Sequence, residues 1–283
     1  MLGYGNLIDA ATLAGGSWVG TLPLSNLKAR QLGKVARSTN LTFANTLFTI
    51  DHGSSKPVRI IGLVNHSMQL SAQFRVVGGS DPGFSTGVLY DSGWLDVWPA
   101  VYTTLSLEWP SNNFWGGRYT DAERTGVTPT RGLILPSTVS ARYWRIEIKD
   151  AANSDGFIQI GRVFMGAAWQ TQVNALYGAT SIAWETTTEI QAAISGAEYF
   201  DRRTPFRVAR FSTEYMSETE GMSYAFEIQR QMGVDGEVFF VHDPDDVSHA
   251  LRRQFLGRLR ELSPIEYPYV GLLKTAWEVK ELL

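Results

Sequence analysis

The chain has 283 residues, 44% of them hydrophobic, and a formal net charge of −3 at pH 7. A chain of this length and composition can bury a substantial core, and the length indicates two domains of ordinary size. The charge gives no argument for binding nucleic acid or an anionic membrane. The absence of cysteine excludes disulfides, thiolate catalysis and cysteine-based zinc sites.

The amino-terminal segment MLGYGNLIDAATLAGGSW lacks a basic leader followed by an apolar stretch. No later segment approaches about 18 uninterrupted apolar residues. We therefore expect a protein that is made and folded in a cytoplasm.

Between residues 45 and 149, short segments rich in β-branched and aromatic residues alternate with clusters of Gly, Pro, Asn, Asp and Ser. This pattern predicts many short strands in a β-sandwich or jelly roll, and no convincing amphipathic helix interrupts them. A two-layer β core accommodates a large aromatic volume. Six of the nine tryptophans lie in this half, at positions Trp18, Trp94, Trp98, Trp109, Trp115 and Trp144.

The segment from Arg142 to Lys149 alternates strictly, with Trp144, Ile146 and Ile148 on one face and mostly charged residues on the other. That period of two predicts a strand with one face on a core and one in water. The polar run 150–156 reads as a turn and 157–164 as the return strand, so we interpret the stretch as an edge pair of a sandwich.

A calcium loop is the alternative for the turn at 150–156. In the register of a helix-loop-helix calcium site, Ala151 would stand first and Arg162 twelfth, where carboxylates are required. The spacing therefore favours a turn whose polar groups bond to one another.

The pattern changes after a boundary predicted within 166–177. TSIAWETTTEI and PFRVARFS are predicted strands, and Ser217 followed by Glu220 is a capping box that begins a helix over about 217–232. Gly233 supplies its left-handed stop. EVFFV and LLKTAWEV are further predicted strands. Ala-Trp-Glu occurs at 183–185 and 276–278, and we predict that these two strands are neighbours in one sheet.

The search for catalytic chemistry finds no signature. The four histidines form no HExxH motif, no Gly-x-Ser-x-Gly elbow is present, and GSDPGFSTG lacks the ending of a phosphate-binding loop. His242 beside Asp243, Asp245 and Asp246 is a candidate metal cluster, but the Asp-Pro-Asp-Asp run is typical of a turn.

Asp91 and Asp96 are candidate paired carboxylates for glycoside hydrolysis. The sequence gives no sign that either carboxyl has a raised pKa, and a strand pair with Trp94 and Trp98 in or near the core is favoured. We therefore predict no catalytic residues, no cofactor, no metal site and no enzymatic activity.

Three segments together carry a resemblance to a known family: SNLKARQLGKVARS (25–38), GVLYDSGWLDVWP (87–99) and ARYWRIEIKDAANSDGFIQIGRVFMG (141–166). They resemble the discoidin-like, galactose-binding-like jelly roll found in tail proteins of long-tailed bacteriophages. The second half, from RVARFSTEYMSETEGM to TAWEVKELL, is similar to the terminal part of those proteins.

The resemblance implies a distal tail or baseplate-hub protein of the virion tail tip, assembled in the bacterial cytoplasm. It implies a peripheral jelly roll at 1–168 and, at 169–283, a β domain with one helix that forms a homo-oligomeric ring, with a hexamer as the expected form. Tail tube, hub and tape-measure proteins are the implied partners. PFRVARF, EVFFV and LLKTAWEV are the predicted surfaces for neighbouring copies.

A carbohydrate-binding module is the main alternative, because discoidin-like folds bind glycans through loops at one end of the sandwich. The candidate glycan contacts are Trp98, Tyr102 and Trp115, in DVWPAVY and NNFWGG. Packing in the core or between subunits stays open for each of these residues.

Overall fold

A computed structural model describes residues 1–246 and 248–283, and Thr104 by its backbone alone. These residues form seventeen strands: β1 (Leu2–Tyr4), β2 (Thr12–Ala14), β3 (Ala36–Arg37), β4 (Phe48–His66), β5 (Gln73–Gly79), β6 (Val88–Asp91), β7 (Leu95–Asp96), β8 (Thr130–Lys149), β9 (Gln159–Trp169), β10 (Ser181–Glu185), β11 (Glu189–Ala192), β12 (Glu198–Asp201), β13 (Phe206–Ser217), β14 (Glu237–Val241), β15 (Gln254–Leu259), β16 (Glu266–Tyr269) and β17 (Leu272–Glu281). The predicted mainly β class is confirmed.

The helical segments are short. The α-helical ones are α1 (Phe43–Thr46), α2 (Asp121–Arg124), α3 (Glu218–Glu220), α4 (Glu227–Met232) and α5 (Ala250–Arg253), with a π-helical segment, Gly221–Phe226, joining α3 to α4. The 3₁₀ segments are Leu7–Ala10, Leu24–Lys28, Thr104–Ser106 and Tyr177–Ala179. No helix among the described residues is both long and apolar enough to cross a bilayer.

The chain folds into two compact units. The first comprises Met1–Trp169 and Phe239–Leu256, and the second comprises Gln170–Val238 and Gly257–Leu283. The sequence predicts two contiguous domains, 1–168 and 169–283. It does not predict that Phe239–Leu256 belongs to the first unit.

The first unit is a β-sandwich jelly roll in which β4 and β8 are long and bent, so that each contributes to both layers. In one layer, β4 pairs with β2 and with the end of β8, and β8 pairs with β5. In the other layer, β4 lies between the start of β8 and β9, and β9 also pairs with β1. The buried side chains of both layers form one core, including Phe48, Trp144, Ile146, Val163 and Met165.

The sequence predicts that β8, the polar turn and β9 form an edge pair. The structure has both strands, but they are not paired with each other in that way. Trp144, Ile146 and Ile148 are buried as the alternation predicts. However, β4 lies between β8 and β9, so the turn carries the chain from one partner edge of β4 to the other. The sequence pattern of a strand reports its two faces but not its hydrogen-bonded neighbours.

Phe239, in the returning segment, explains why this part of the chain belongs to the first unit. Its ring is fully buried and lies 5.6 Å from the Phe164 ring, centroid to centroid. A Cβ added to Gly62 would lie 2.4 Å from Phe239 Cε2, and one added to Gly132 would lie 3.1 Å from Cε1. Glycines on neighbouring strands therefore leave the space that the ring fills.

The second unit contains an antiparallel sheet in the order β10-β13-β17-β15, with β16 also paired to β17. The predicted helix begins as expected, because the Ser217 hydroxyl accepts a hydrogen bond from the Glu220 N–H at 3.1 Å. It ends at Gly233, whose φ is 53°. Gly221 packs so closely on Leu273 that a Cβ there would lie 2.3 Å from Leu273 Cδ1.

The prediction that the two Ala-Trp-Glu strands are neighbours is wrong by one strand. They are β10 and β17, which lie in one sheet with β13 between them. Arg210 on β13 joins both repeats, since its guanidinium lies 2.5 Å from Glu185 and 2.9 Å from Glu278.

The segments predicted to offer surfaces to neighbouring copies lie inside the sheets instead. PFRVARF belongs to β13, which pairs with β10 and β17, and LLKTAWEV belongs to β17, which has three partners. All five residues of β14, which contains EVFFV, are buried. Their apolar side chains are covered within this chain and leave no open strand edge there.

Candidate functional site

The long connection from β7 to β8 in the first unit has a rigid base. The backbone N–H groups of Val101 and Tyr102 both donate to the Gly117 carbonyl, at 2.7 and 2.8 Å. Gly117 has a φ of 56°, and a Cβ there would lie 2.3 Å from the Tyr102 carbonyl oxygen. Only glycine fits this close approach of two backbone segments without strain.

Side chains reinforce the base. The Tyr102 hydroxyl donates to the Glu123 carboxylate, which also accepts from the Thr120 N–H at 2.9 Å and from Arg252 at 3.0 Å. Thr120 and Glu123 form a capping box at the start of α2. These contacts hold the Glu123 carboxylate in place, and hydrogen bonds from Tyr102 and Thr120 lower its pKa against the opposing effect of burial.

Three aromatic rings of the same connection, those of Trp109, Phe114 and Trp115, pack against one another, and we call them the aromatic cluster. Their centroids are 5.2 to 5.5 Å apart, and each pair meets edge to face. Trp109 is 71% exposed and Trp115 81%. The cluster therefore presents two indole rings to solvent on a loop with a fixed base.

The three glycan contacts predicted from the sequence have different environments. Trp115 is exposed as part of the aromatic cluster. Tyr102 is partly buried in the base, where its hydroxyl is bonded to Glu123. Trp98 is only 4% exposed, and its Nε1–H donates to the Met68 carbonyl at 2.9 Å. Trp98 is thus a core residue in this structure, so its ring faces are covered.

Trp109 and Phe114 were not among the predicted contacts, although they lie within ten residues of Trp115. The signal that could have found them is the segment EWPSNNFWGG, where aromatic residues stand among Pro, Ser, Asn and Gly rather than in an alternating strand pattern. The composition argument counts Trp109 and Trp115 among six tryptophans whose volume a two-layer β core could accommodate. The structure places them outside it.

A histidine and an arginine pack on the buried Trp98 ring. The ring of His66 meets Trp98 at 5.4 Å, and the Arg124 guanidinium lies 5.1 Å from the centre of the Trp98 ring. Neither His66 ring nitrogen has a hydrogen-bond partner among the described residues. Burial, and then the charges of Arg131 and Arg124, lower the pKa of His66 to about 3.

The candidate catalytic carboxylates are engaged in ion pairs. Asp91 accepts from Arg75 Nε at 2.8 Å, and this bond lowers the pKa of the Asp91 carboxyl to about 2. Asp96 lies 3.0 Å from Arg118. A general acid in glycoside hydrolysis requires a raised pKa. The pKa of Asp91 is lowered instead, so its carboxyl lacks the property that a general acid requires.

The candidate metal sites have the hydrogen bonds of turns. In the 150–156 turn, Asn153 Nδ2 donates to Asp150 at 2.8 Å and the Asp155 N–H donates to Asn153 at 3.0 Å. Near His242, the Asp245 N–H donates to Asp243 at 3.0 Å. Over residues 1–246 and 248–283, no three His, Cys, Asp or Glu side chains are grouped so that they could hold a metal ion.

No protein-family model and no curated protein matches this chain. Among solved structures, it is similar to the lectin domain of lectinolysin complexed with Lewis b antigen, with a TM-score of 0.38 and 14% identity over 58% of this chain and 98% of that chain. It is also similar to a Streptococcus pneumoniae fucose-binding module, with a TM-score of 0.37 and 12% identity over 58% and 96%.

A third similar structure is the family 32 carbohydrate-binding module of Clostridium perfringens NanJ in complex with galactose. Its TM-score is 0.36 and its identity 10%, over 58% of this chain and 98% of that chain.

Proposed function

We propose that the first unit is a carbohydrate-binding module that takes a cell-surface glycan on the aromatic cluster. The observation that carries the proposal is the exposure of Trp109 and Trp115 on a loop whose base is fixed. Two large indole rings in water are unfavourable unless a partner covers them, and the apolar face of a pyranose ring stacks on such rings.

The base of the loop supports this function because it holds the rings before a ligand arrives. The contacts of Gly117 and Glu123 confine the two ends of the loop. A preorganised loop loses less conformational entropy on binding, so more of the stacking energy appears as affinity.

A glycan array tests the proposal with the intact chain and with Trp109→Ala/Trp115→Ala. The array includes Lewis b, fucose and galactose among its probes. We expect a defined glycan class to bind and the double substitution to weaken binding at least about tenfold, which corresponds to about 1.4 kcal/mol. Tyr177→Ala is the control, because Tyr177 is an aromatic residue of the second unit that is 97% exposed.

Two results would contradict the proposal. One is the absence of binding to every glycan on the array by the folded chain. The other is binding that is unchanged in the double variant, which would place the glycan site elsewhere. Because both tryptophans are exposed, thermal unfolding of the variant should match that of the intact chain.

A second candidate function is an assembly subunit of a bacteriophage tail tip, as the sequence resemblance implies. The observation that favours assembly is the number of exposed large apolar residues in the second unit, among them Tyr177, Ile194, Tyr267, Tyr269 and Val270. Exposed apolar side chains in such number are typical of surfaces that a partner covers. In this role the chain would form a ring in the virion with tail tube, hub and tape-measure proteins.

Sedimentation velocity from low to high micromolar concentration tests the assembly role. We expect a closed oligomer or reversible self-association. A strict monomer over the whole range would contradict it and would leave the glycan proposal standing. The two functions are compatible, since each rests on a different unit.

A further inference from the structure

Strands β11 and β12 of the second unit form a two-stranded hairpin whose strand residues are all exposed. The register places Ile190 opposite Phe200 and Ala192 opposite Glu198, so these four side chains share one face. Ile190 is 61% exposed and Phe200 52%. A two-stranded hairpin is marginally stable in water by itself, and this one has an uncovered apolar face with one carboxylate.

The second unit also contains a pocket of about 380 Å³. Its walls include Phe206, Arg258, Lys280 and Leu282. Lys280 Nζ lies 4.1 Å from the centre of the Phe206 ring, so the ammonium group and the ring belong to one surface. The lining also includes the exposed Leu283 and the carboxylate of Glu281, so it combines apolar, cationic and acidic side chains.

Of the three basic side chains in the pocket lining, one is paired with a carboxylate and two are not. Arg203 is paired with Asp201 at 2.6 Å. Arg258 donates to the Val234 and Leu259 carbonyls, each at 3.1 Å. Within the part of the chain that the structure describes, neither Arg258 nor Lys280 forms an ion pair with a carboxylate. Glu281, the carboxylate in the lining, is paired with Arg207, so the charges of the pocket that no carboxylate neutralises are those of Arg258 and Lys280.

The hairpin and the pocket are complementary in chemistry, and among the described residues no ion pair joins Glu198 to Lys280 within one chain. The pocket includes Thr187 and Arg203, which flank the base of the hairpin. At about 3.3 Å per residue, Glu198 lies roughly 16 Å along the strand from Arg203, at the other end of the hairpin from its base. The acidic, apolar face of the hairpin is exposed and is therefore available to the pocket of another copy.

We infer that the pocket of one copy binds the β11–β12 hairpin of a second copy, with Phe200 against Leu282 and Leu283 and with Glu198 beside Lys280. This rests on the assembly role proposed above and names the two surfaces that make the contact. Complementary charge fixes which face of the hairpin is bound, and apolar burial supplies most of the affinity.

A charge exchange tests the contact. Glu198→Lys and Lys280→Glu are each expected to weaken self-association at least tenfold in sedimentation velocity. The two substitutions in one chain, or an equimolar mixture of the two single variants, should restore it, because each altered surface then meets an altered partner. Glu189→Lys is the matched control: it makes the same charge change on the opposite face of the hairpin and should leave association unchanged.

The outcomes separate this inference from the assembly role. Self-association of the intact chain that neither Glu198→Lys nor Lys280→Glu weakens would overturn the hairpin contact and leave assembly intact. A monomeric intact chain would overturn both. Equal weakening by Glu189→Lys and Glu198→Lys would indicate a general charge effect and also overturn the contact. If Lys280→Glu does not fold, the comparison of Glu198→Lys with Glu189→Lys decides alone, since both residues are exposed.

Discussion

Arg207 and Glu281 form an ion pair in the second unit with side chains that are only 1% and 2% exposed. The Arg207 backbone N–H and Nε–H both donate to Glu281 Oε2, each at 2.8 Å. Two charges removed from water to this extent are stable only while each compensates the other. The pair therefore makes the end of β17 sensitive to the loss of either partner.

Glu281→Gln should destabilise the second unit by about 3 to 5 kcal/mol, because it leaves the Arg207 charge buried without its counter-charge. Glu185→Gln is the control: it removes a carboxylate that lies beside Arg210 and Arg260, but these arginines are 43% and 42% exposed, so the loss of stability should be much smaller. Chemical denaturation followed by circular dichroism measures both. A loss of less than about 1 kcal/mol for Glu281→Gln would contradict the structural role of the pair.

Gly62→Ala should destabilise the first unit by about 1 to 3 kcal/mol, since the new methyl group would overlap the buried ring of Phe239. Adding Phe239→Leu should recover part of this loss, so that the two changes are not additive. Gly20→Ala is the control, because nothing lies within 4 Å of a Cβ at that exposed glycine. Additive effects in the double variant would show that Phe239 does not fill this space.

Local sequence signals correctly predicted individual elements such as the helix. They could not predict features that depend on contacts between residues distant in the sequence. Ser217 and Gly233 bounded the helix correctly because a cap depends on residues within one turn. Trp98 and Trp115 both stand in segments with Pro or Gly beside the aromatic residue, yet one is buried and the other exposed. Trp98 packs in a core built from residues distant in the sequence, such as Met68, which lies thirty positions away and accepts its indole hydrogen bond.

Acid should destabilise the first unit through His66. Its pKa in the folded chain is lowered to about 3 from an ordinary value of 6.5. The unfolded chain therefore binds a proton first, and the stability contributed by neutral His66 is complete above pH 6.5 and decreases as the pH falls toward 3. The slope is about 1.4 kcal/mol per pH unit.

His66→Phe isolates this effect, because it keeps an aromatic ring of similar shape and removes the titration. Between pH 6.5 and pH 5, the intact chain should lose about 2 kcal/mol more stability than the variant, measured by denaturant titration of tryptophan fluorescence. Equal pH dependence of the two proteins would show that His66 does not titrate as the buried environment requires.

Gly117→Ala should weaken glycan binding without removing any aromatic ring. An alanine at a φ of 56°, with its Cβ 2.3 Å from the Tyr102 carbonyl oxygen, forces the two backbone segments at the loop base apart. The aromatic cluster then loses its fixed base, so affinity should fall several-fold and limited proteolysis of residues 103–116 should become faster. Gly116→Ala is the control, because that neighbouring glycine has no positive φ and nothing within 4 Å of an added Cβ. If both variants bind and are cleaved like the intact chain, the base contacts of Gly117 do not position the cluster.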